Sequence, residues 1–136
     1  MKKVSKLILA ICCSTVSTIG FGQHTFNNCS AAFLDNKMIV DEYTTKGKCI
    51  LSANVTGKLT VCTVNLSPTT SQAVDKIPFR VAIRNRNTQT LLLLTKADVK
   101  QIDVRNVLTK CEKGDHIVLL TLDDQYAMPH NEILVQ

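Results

Sequence analysis

Cys111-Glu112-Lys113-Gly114-Asp115-His116 is the part of the chain where residue types and spacing come closest to a chemical site. A thiol and an imidazole five positions apart, after a run of β-like sequence, suit part of a blue-copper loop. Such a site needs a thiolate, two imidazoles and usually a weak axial ligand. The pattern is incomplete here. His24 is the only imidazole upstream, and Leu120 stands where an axial methionine would sit. A helix-to-strand turn with a structural cysteine accounts for the stretch better. His116, Asp123, Asp124, His130 and Glu132 make a second set, suited to metal binding or acid/base work if they converge. Their spacing matches no ligand signature such as H-E-x-x-H. Polar turn residues at strand ends explain them more simply. There is no G-x-S-x-G nucleophile elbow, and the 5 glycines are scattered rather than gathered into a phosphate loop. No catalytic residue is assigned, and no cofactor is implied.

Two further constellations concern binding and bracing. Arg80, Arg84 and Arg86 fall on one side of an alternating stretch. Their guanidinium groups suit carboxylates or sulfates on a partner, or simply a solvated outer face that discourages edge-to-edge aggregation. Cys29, Cys49, Cys62 and Cys111 remain once the N-terminal segment is set aside. An even number of cysteines in an exported chain suggests two disulfides with three possible connectivities. Cys49–Cys62, flanking an apparent hairpin whose turn is Asn54-Val55-Thr56-Gly57, is the favoured first pair, which leaves Cys29–Cys111.

That N-terminal segment carries the export expectation. Lys2, Lys3 and Lys6 precede an apolar run from Leu7 to Cys13, and small or polar residues follow to Gly22. This is the layout of a cleaved signal peptide over residues 1–22. The expected location is the periplasm or the cell exterior, where cysteines can pair. Cleavage would leave one domain, residues 23–136, and lower the net charge from +5 to about +2. So balanced a chain is not built for nucleic acid. Membrane contact is expected only through the signal before cleavage.

The elements that must position these residues are mostly strands. Ile39 to Thr45, Lys48 to Val55 and Lys58 to Leu66 have β-like composition or alternation. Ser67 to Lys76 is a polar loop opened by Ser67-Pro68. Phe79, Val81 and Ile83 share one face of the next strand, opposite Arg80, Ala82 and Arg84. Asn85 to Gln89 is turn material. Leu91 to Leu94 is a continuous apolar run that suits a central strand. A helix is predicted at about residues 104–113, with Asp103 as N-cap and Val104, Val107, Leu108 and Cys111 on one face. His116 to Leu122 and Ile133 to Gln136 return to strand. Many short strands with frequent turns predict an all-β fold, an antiparallel immunoglobulin-like β-sandwich with one short helix.

Phe79 to Ile83, Val107 to Val118, Pro129 and Ile133 to Val135 together carry a family resemblance. This order of strand, short basic helix, Lys-Gly-Asp turn, strand, proline-bearing loop and final strand resembles the C-terminal domain of the periplasmic gliding-motility and type IX secretion M proteins of Bacteroidetes. The resemblance covers residues 78–135. It implies an immunoglobulin-like sandwich used for protein contacts and transfers no catalytic residue. The four cysteines lie outside what it explains.

Three functions follow as expectations. The first is an exported, non-catalytic β-sandwich that contacts an envelope or extracellular protein, with carbohydrate as a lesser partner because only 4% of residues are aromatic. Sugar-binding faces usually need rings. The second is a small secreted hydrolase or metal-binding protein using His116, His130 and the neighbouring acids. The third is a structural subunit of a surface assembly, which an exposed apolar edge near Leu91 to Leu94 would favour.

Overall fold

The computed structural model describes residues 29–66, 71–122 and 126–136. The signal segment 1–22, Ser67-Pro68 and the pair Asp123-Asp124 lie outside the described residues.

The described residues are all-β, with two sheets and one short helix. The first sheet runs β2 (Lys37–Met38), β1 (Ser30–Leu34), β4 (Lys58–Leu66), β5 (Ser71–Lys76), and β8 (Ile102–Asp103) also pairs with β4. The second runs β3 (Ile50–Leu51), β10 (Glu132–Val135), β9 (His116–Thr121), β6 (Phe79–Arg84), β7 (Leu91–Leu93). Pairing between these strands is antiparallel except for β3 on β10, which is parallel.

Both sheets feed one core. Leu59 and Val61 of β4 join Phe79 and Val81 of β6, Ile117 and Leu119 of β9, and Ile133 and Val135 of β10. In β6 Phe79, Val81 and Ile83 are buried and Arg80 and Arg84 half-buried as expected, but Ala82, on the side of the arginines, is buried as well. In β4 both sides are used. Leu59 and Val61 face the main core, whereas Cys62 and Val64 join Ala31 and Phe33 in a smaller cluster, with Cys29, Met38 and Tyr43 against it.

The helix α1 spans Val104–Leu108, shorter than the predicted residues 104–113. Asp103 caps it as expected, accepting the Arg105 N–H at 3.0 Å. Val104, Val107 and Leu108 are buried. Beyond Leu108 the N–H groups of Lys110 and Cys111 reach back only three residues, to Val107 and Leu108. That tightening closes the helix early.

Four local expectations are corrected. Residues 39–45 make no strand; Val40 bridges Cys49 and the following residues turn. The polar stretch before Ile77 contains β5, whose residues from Gln72 to Lys76 are all exposed, so it has no burial pattern to read. The two apparent strands around residues 48–66 do not form a hairpin, because β3 lies in the second sheet and β4 in the first. The leucine run is not central: β7 is an edge strand with all three leucines exposed.

Without the hairpin, the reason for pairing Cys49 with Cys62 is gone. Among the described residues no disulfide joins Cys49, Cys62 or Cys111. In the expected Cys49–Cys62 pair, Cys49 packs on the main core and Cys62 sits in the smaller cluster. The Cys29–Cys111 pair is divided in the same way, with Cys111 against the main core and Cys29 against the smaller cluster.

Candidate functional site

The outward surface of the second sheet holds Arg80, Arg84, His116 and Glu132, and its β7 edge holds Leu91 to Leu93. On that outward surface Arg84 of β6 lies opposite His116 of β9, and His116 lies opposite Leu134 of β10. Glu132, opposite Val118, reaches Arg84 with an Nη2 to Oε1 distance of 2.9 Å. Arg80 is paired with Asp98 at 2.7 Å through Nε. Both pairs are partly solvated, which limits each to about 1 kcal/mol or less.

Arg86 does not belong to the stripe. It follows β6 in the turn, where its Nη1 donates to the Lys113 carbonyl at 2.8 Å and its backbone N–H to Asp115 Oδ1 at 3.0 Å. The three guanidinium groups therefore each have a partner within the chain. Only Nε of Arg80 and Nη2 of Arg84 are engaged, so each guanidinium keeps further N–H donors for an acidic ligand.

Asp115 is the residue that sequence reasoning undervalued. Only 3% exposed, it takes the Arg86 N–H on Oδ1 and the Glu112 N–H on Oδ2 at 2.8 Å. The Glu112 N–H, and then the Arg86 N–H, hold its carboxyl below the usual range against the opposing effect of burial. Asp115 thus ties the β6–β7 hairpin to the turn between α1 and β9. Gly114 makes this turn possible with a φ of +96, and a Cβ there would lie 2.9 Å from the Arg86 Cδ. The sequence signal was the Lys-Gly-Asp run itself, a turn with a short acceptor one residue after the glycine.

The copper-like pattern does not assemble. Cys111 Sγ contacts the Val107 carbonyl at 3.4 Å, and burial followed by the nearby Asp115 charge pushes its thiol up to about 11. Cys49 is also pushed up to about 11, by burial and then by Asp41. Neither thiol is primed as a nucleophile or metal ligand.

The second set is dispersed among the described residues. His116 and Glu132 share the sheet surface, and the His116 Nδ1 is buried without a hydrogen-bond partner. His130 lies in a loop, edge-on to Tyr43 with ring centroids 5.9 Å apart. It helps line a 470 Å³ hollow with Tyr43, Thr44, Thr45, Gly47 and Pro129. The Tyr43 hydroxyl is occupied, donating to the Ser30 carbonyl at 3.0 Å. Burial, then the Cys29 charge, pushes that hydroxyl up to about 12. Among the described residues no group of three or more His, Cys, Asp or Glu is placed to hold a metal ion.

The edge at β7 differs in kind from these polar sites. Leu91, Leu92 and Leu93 are 47%, 66% and 47% exposed. The hairpin that presents them is well built. Asn85 Oδ1 accepts the N–H groups of Asn87 and Thr88 at 2.8 and 3.0 Å, and Gln89 takes a φ of 59. Asn85 and Thr90 then start the ladder, with the Asn85 N–H donating to the Thr90 carbonyl at 2.9 Å. The leucines are therefore fixed in place rather than carried on a loose loop.

Comparison with protein-family models, with curated proteins and with solved structures gave no match.

Proposed function

We propose that the chain is an exported, non-catalytic protein of the bacterial envelope that works through contact with another protein. In this reading the two sheets form an immunoglobulin-like sandwich, and β7 is the contact surface. The observation that carries the proposal is the row of exposed leucines on a sheet edge, which equally favours the contact being one within a structural surface assembly. Soluble chains rarely leave such an edge open, because its unpaired N–H and C=O groups template pairing with other strands. Large apolar side chains left exposed along one ordered edge suit an interaction site.

Two sequence features support the setting. The basic, apolar and small-residue order of residues 1–22 suits export. The resemblance of residues 78–135 to the last domain of the gliding-motility M proteins suits a contact role. Arg84, on the strand next to β7, then borders the contact, while its carboxylate partner Glu132 lies on β10, away from that edge. The hydrolase or metal-binding alternative gains no support from His130, which lies beside Tyr43 in a loop.

The test is capture from solubilised native envelope, with wild-type protein and Leu92→Arg as paired baits. Proteins retained by the wild type and lost with the variant are expected. An identical set on both baits would contradict the proposal.

A further inference from the structure

Resting on that contact reading, we infer that the partner at β7 is a second copy of this chain, added antiparallel about a two-fold axis beside Leu92. The register of the hairpin fixes which groups are available. Leu91, Leu92 and Leu93 lie opposite Arg84, Ile83 and Ala82. Hydrogen-bonded and non-hydrogen-bonded pairs alternate along an antiparallel ladder. Asn85 bonds Thr90, and at the other end the Leu94 N–H donates to the Val81 carbonyl at 2.8 Å. Ile83 and Leu92 therefore form the bonded pair between them. The N–H and C=O groups of Leu91 and Leu93 point the other way, off the sheet, and β7 pairs only with β6 among the described strands.

This arrangement is self-complementary. With Leu92 placed opposite Leu92 of a second copy, each Leu91 meets a Leu93. Both of those positions have outward N–H and C=O groups, so every outward group finds a partner. The leucine side chains then pack against their own kind on both faces of the joined sheet. Such a two-fold contact uses the same patch on each copy and closes on itself as a dimer.

Charge also favours a second copy. Residues 87–95 contain no charged side chain and no proline, so an antiparallel copy brings no like charges into opposition. The other edges are guarded by the usual devices. Asp75 and Lys76 stand on β5, Lys37 on β2, and β3 is only two residues long. Among the described strands, β7 alone combines three exposed apolar residues with an unguarded ladder. A contact this short belongs to the small, reversible class of interface.

Sedimentation of the purified chain over a concentration series tests the inference. The apparent mass should double as concentration rises to the order of 100 µM, as for a small reversible interface, and Leu92→Arg should remain monomeric. A wild type that stays monomeric throughout would overturn the inference, as would a dimer unaffected by Leu92→Arg. Single cysteines give the register. Leu92→Cys should cross-link to itself on mild oxidation, because facing residues of a non-hydrogen-bonded pair are about 4.5 Å apart at Cα, within disulfide reach. Leu93→Cys should not exceed the wild-type background. Equal cross-linking at both positions would overturn the register. Envelope proteins that depend on Leu92 for capture, found with a strictly monomeric chain, would leave the contact reading standing and refute only the second copy as partner.

Discussion

Asp115 shows how much a single buried carboxylate can organise. It joins two turns through two backbone N–H groups, and each such bond to a charged acceptor contributes about 1.5–3 kcal/mol. Asp115→Asn keeps the shape but sets an amide NH₂ against one of those donors. Chemical denaturation near neutral pH should show a loss of about 1–3 kcal/mol, the usual cost of an unsatisfied buried group. The pH dependence has a definite sign. Because the folded carboxyl titrates below its ordinary value of 3.8, its stabilisation is present above that value and is lost as pH falls through the lower folded one. The gap between wild type and Asp115→Asn should therefore be constant from pH 7 to about 5. It should narrow below pH 4. A gap that widened on acidification would refute this assignment.

The cysteines make a second prediction at the same scale. Thiols held at about 11 instead of 9.0 carry about a hundredfold less thiolate at neutral pH. Iodoacetamide should thus modify Cys49 and Cys111 far more slowly in the folded protein than in urea. Comparable rates in both conditions, followed by peptide mass spectrometry, would count against the packing described for them.

Elements were legible where burial is local and periodic. The inward and outward sides of β6, the N-cap at Asp103 and the turn from Asn85 to Gln89 all follow from residues a few positions apart. What escaped was decided by distant pairing. Asn54 to Gly57 looks like a hairpin turn, yet it links strands of different sheets, with the Asp35 carboxylate accepting the Lys58 N–H at 2.9 Å to hold the crossing. β5 is formed by ladder bonds to β4, with exposed side chains that carry no pattern. An apolar run such as Leu91 to Leu94 reads as buried by composition, and only the strand order reveals it as an edge. Asp115 escaped because a turn-forming aspartate and a buried clamp look alike in sequence. At this scale α1 offers a clear check. Asp103→Ala removes the cap bond to Arg105 and should cost about 1 kcal/mol without altering the strand signals in a circular dichroism spectrum. A null effect would mean that burial of Val104 and Val107 alone fixes the helix.

The whole molecule divides its duties between interior and edge. Leu59, Phe79, Ile117 and Ile133 from both sheets lock a common core, and none of these side chains is more than 0% exposed. Against so closed an interior, three exposed leucines on an ordered strand are costly to leave in water. Each would gain on the order of 1 kcal/mol from burial of its exposed part. Their exposure is explained if the edge is covered in the working state. The most direct measurement is photo-cross-linking in intact cells, with a benzophenone side chain at position 92 and, as a control, at the exposed and ordered Glu112. The account predicts protein adducts at position 92 well above those at position 112. Equal or absent adducts at position 92, from a chain shown to be folded and exported, would contradict it.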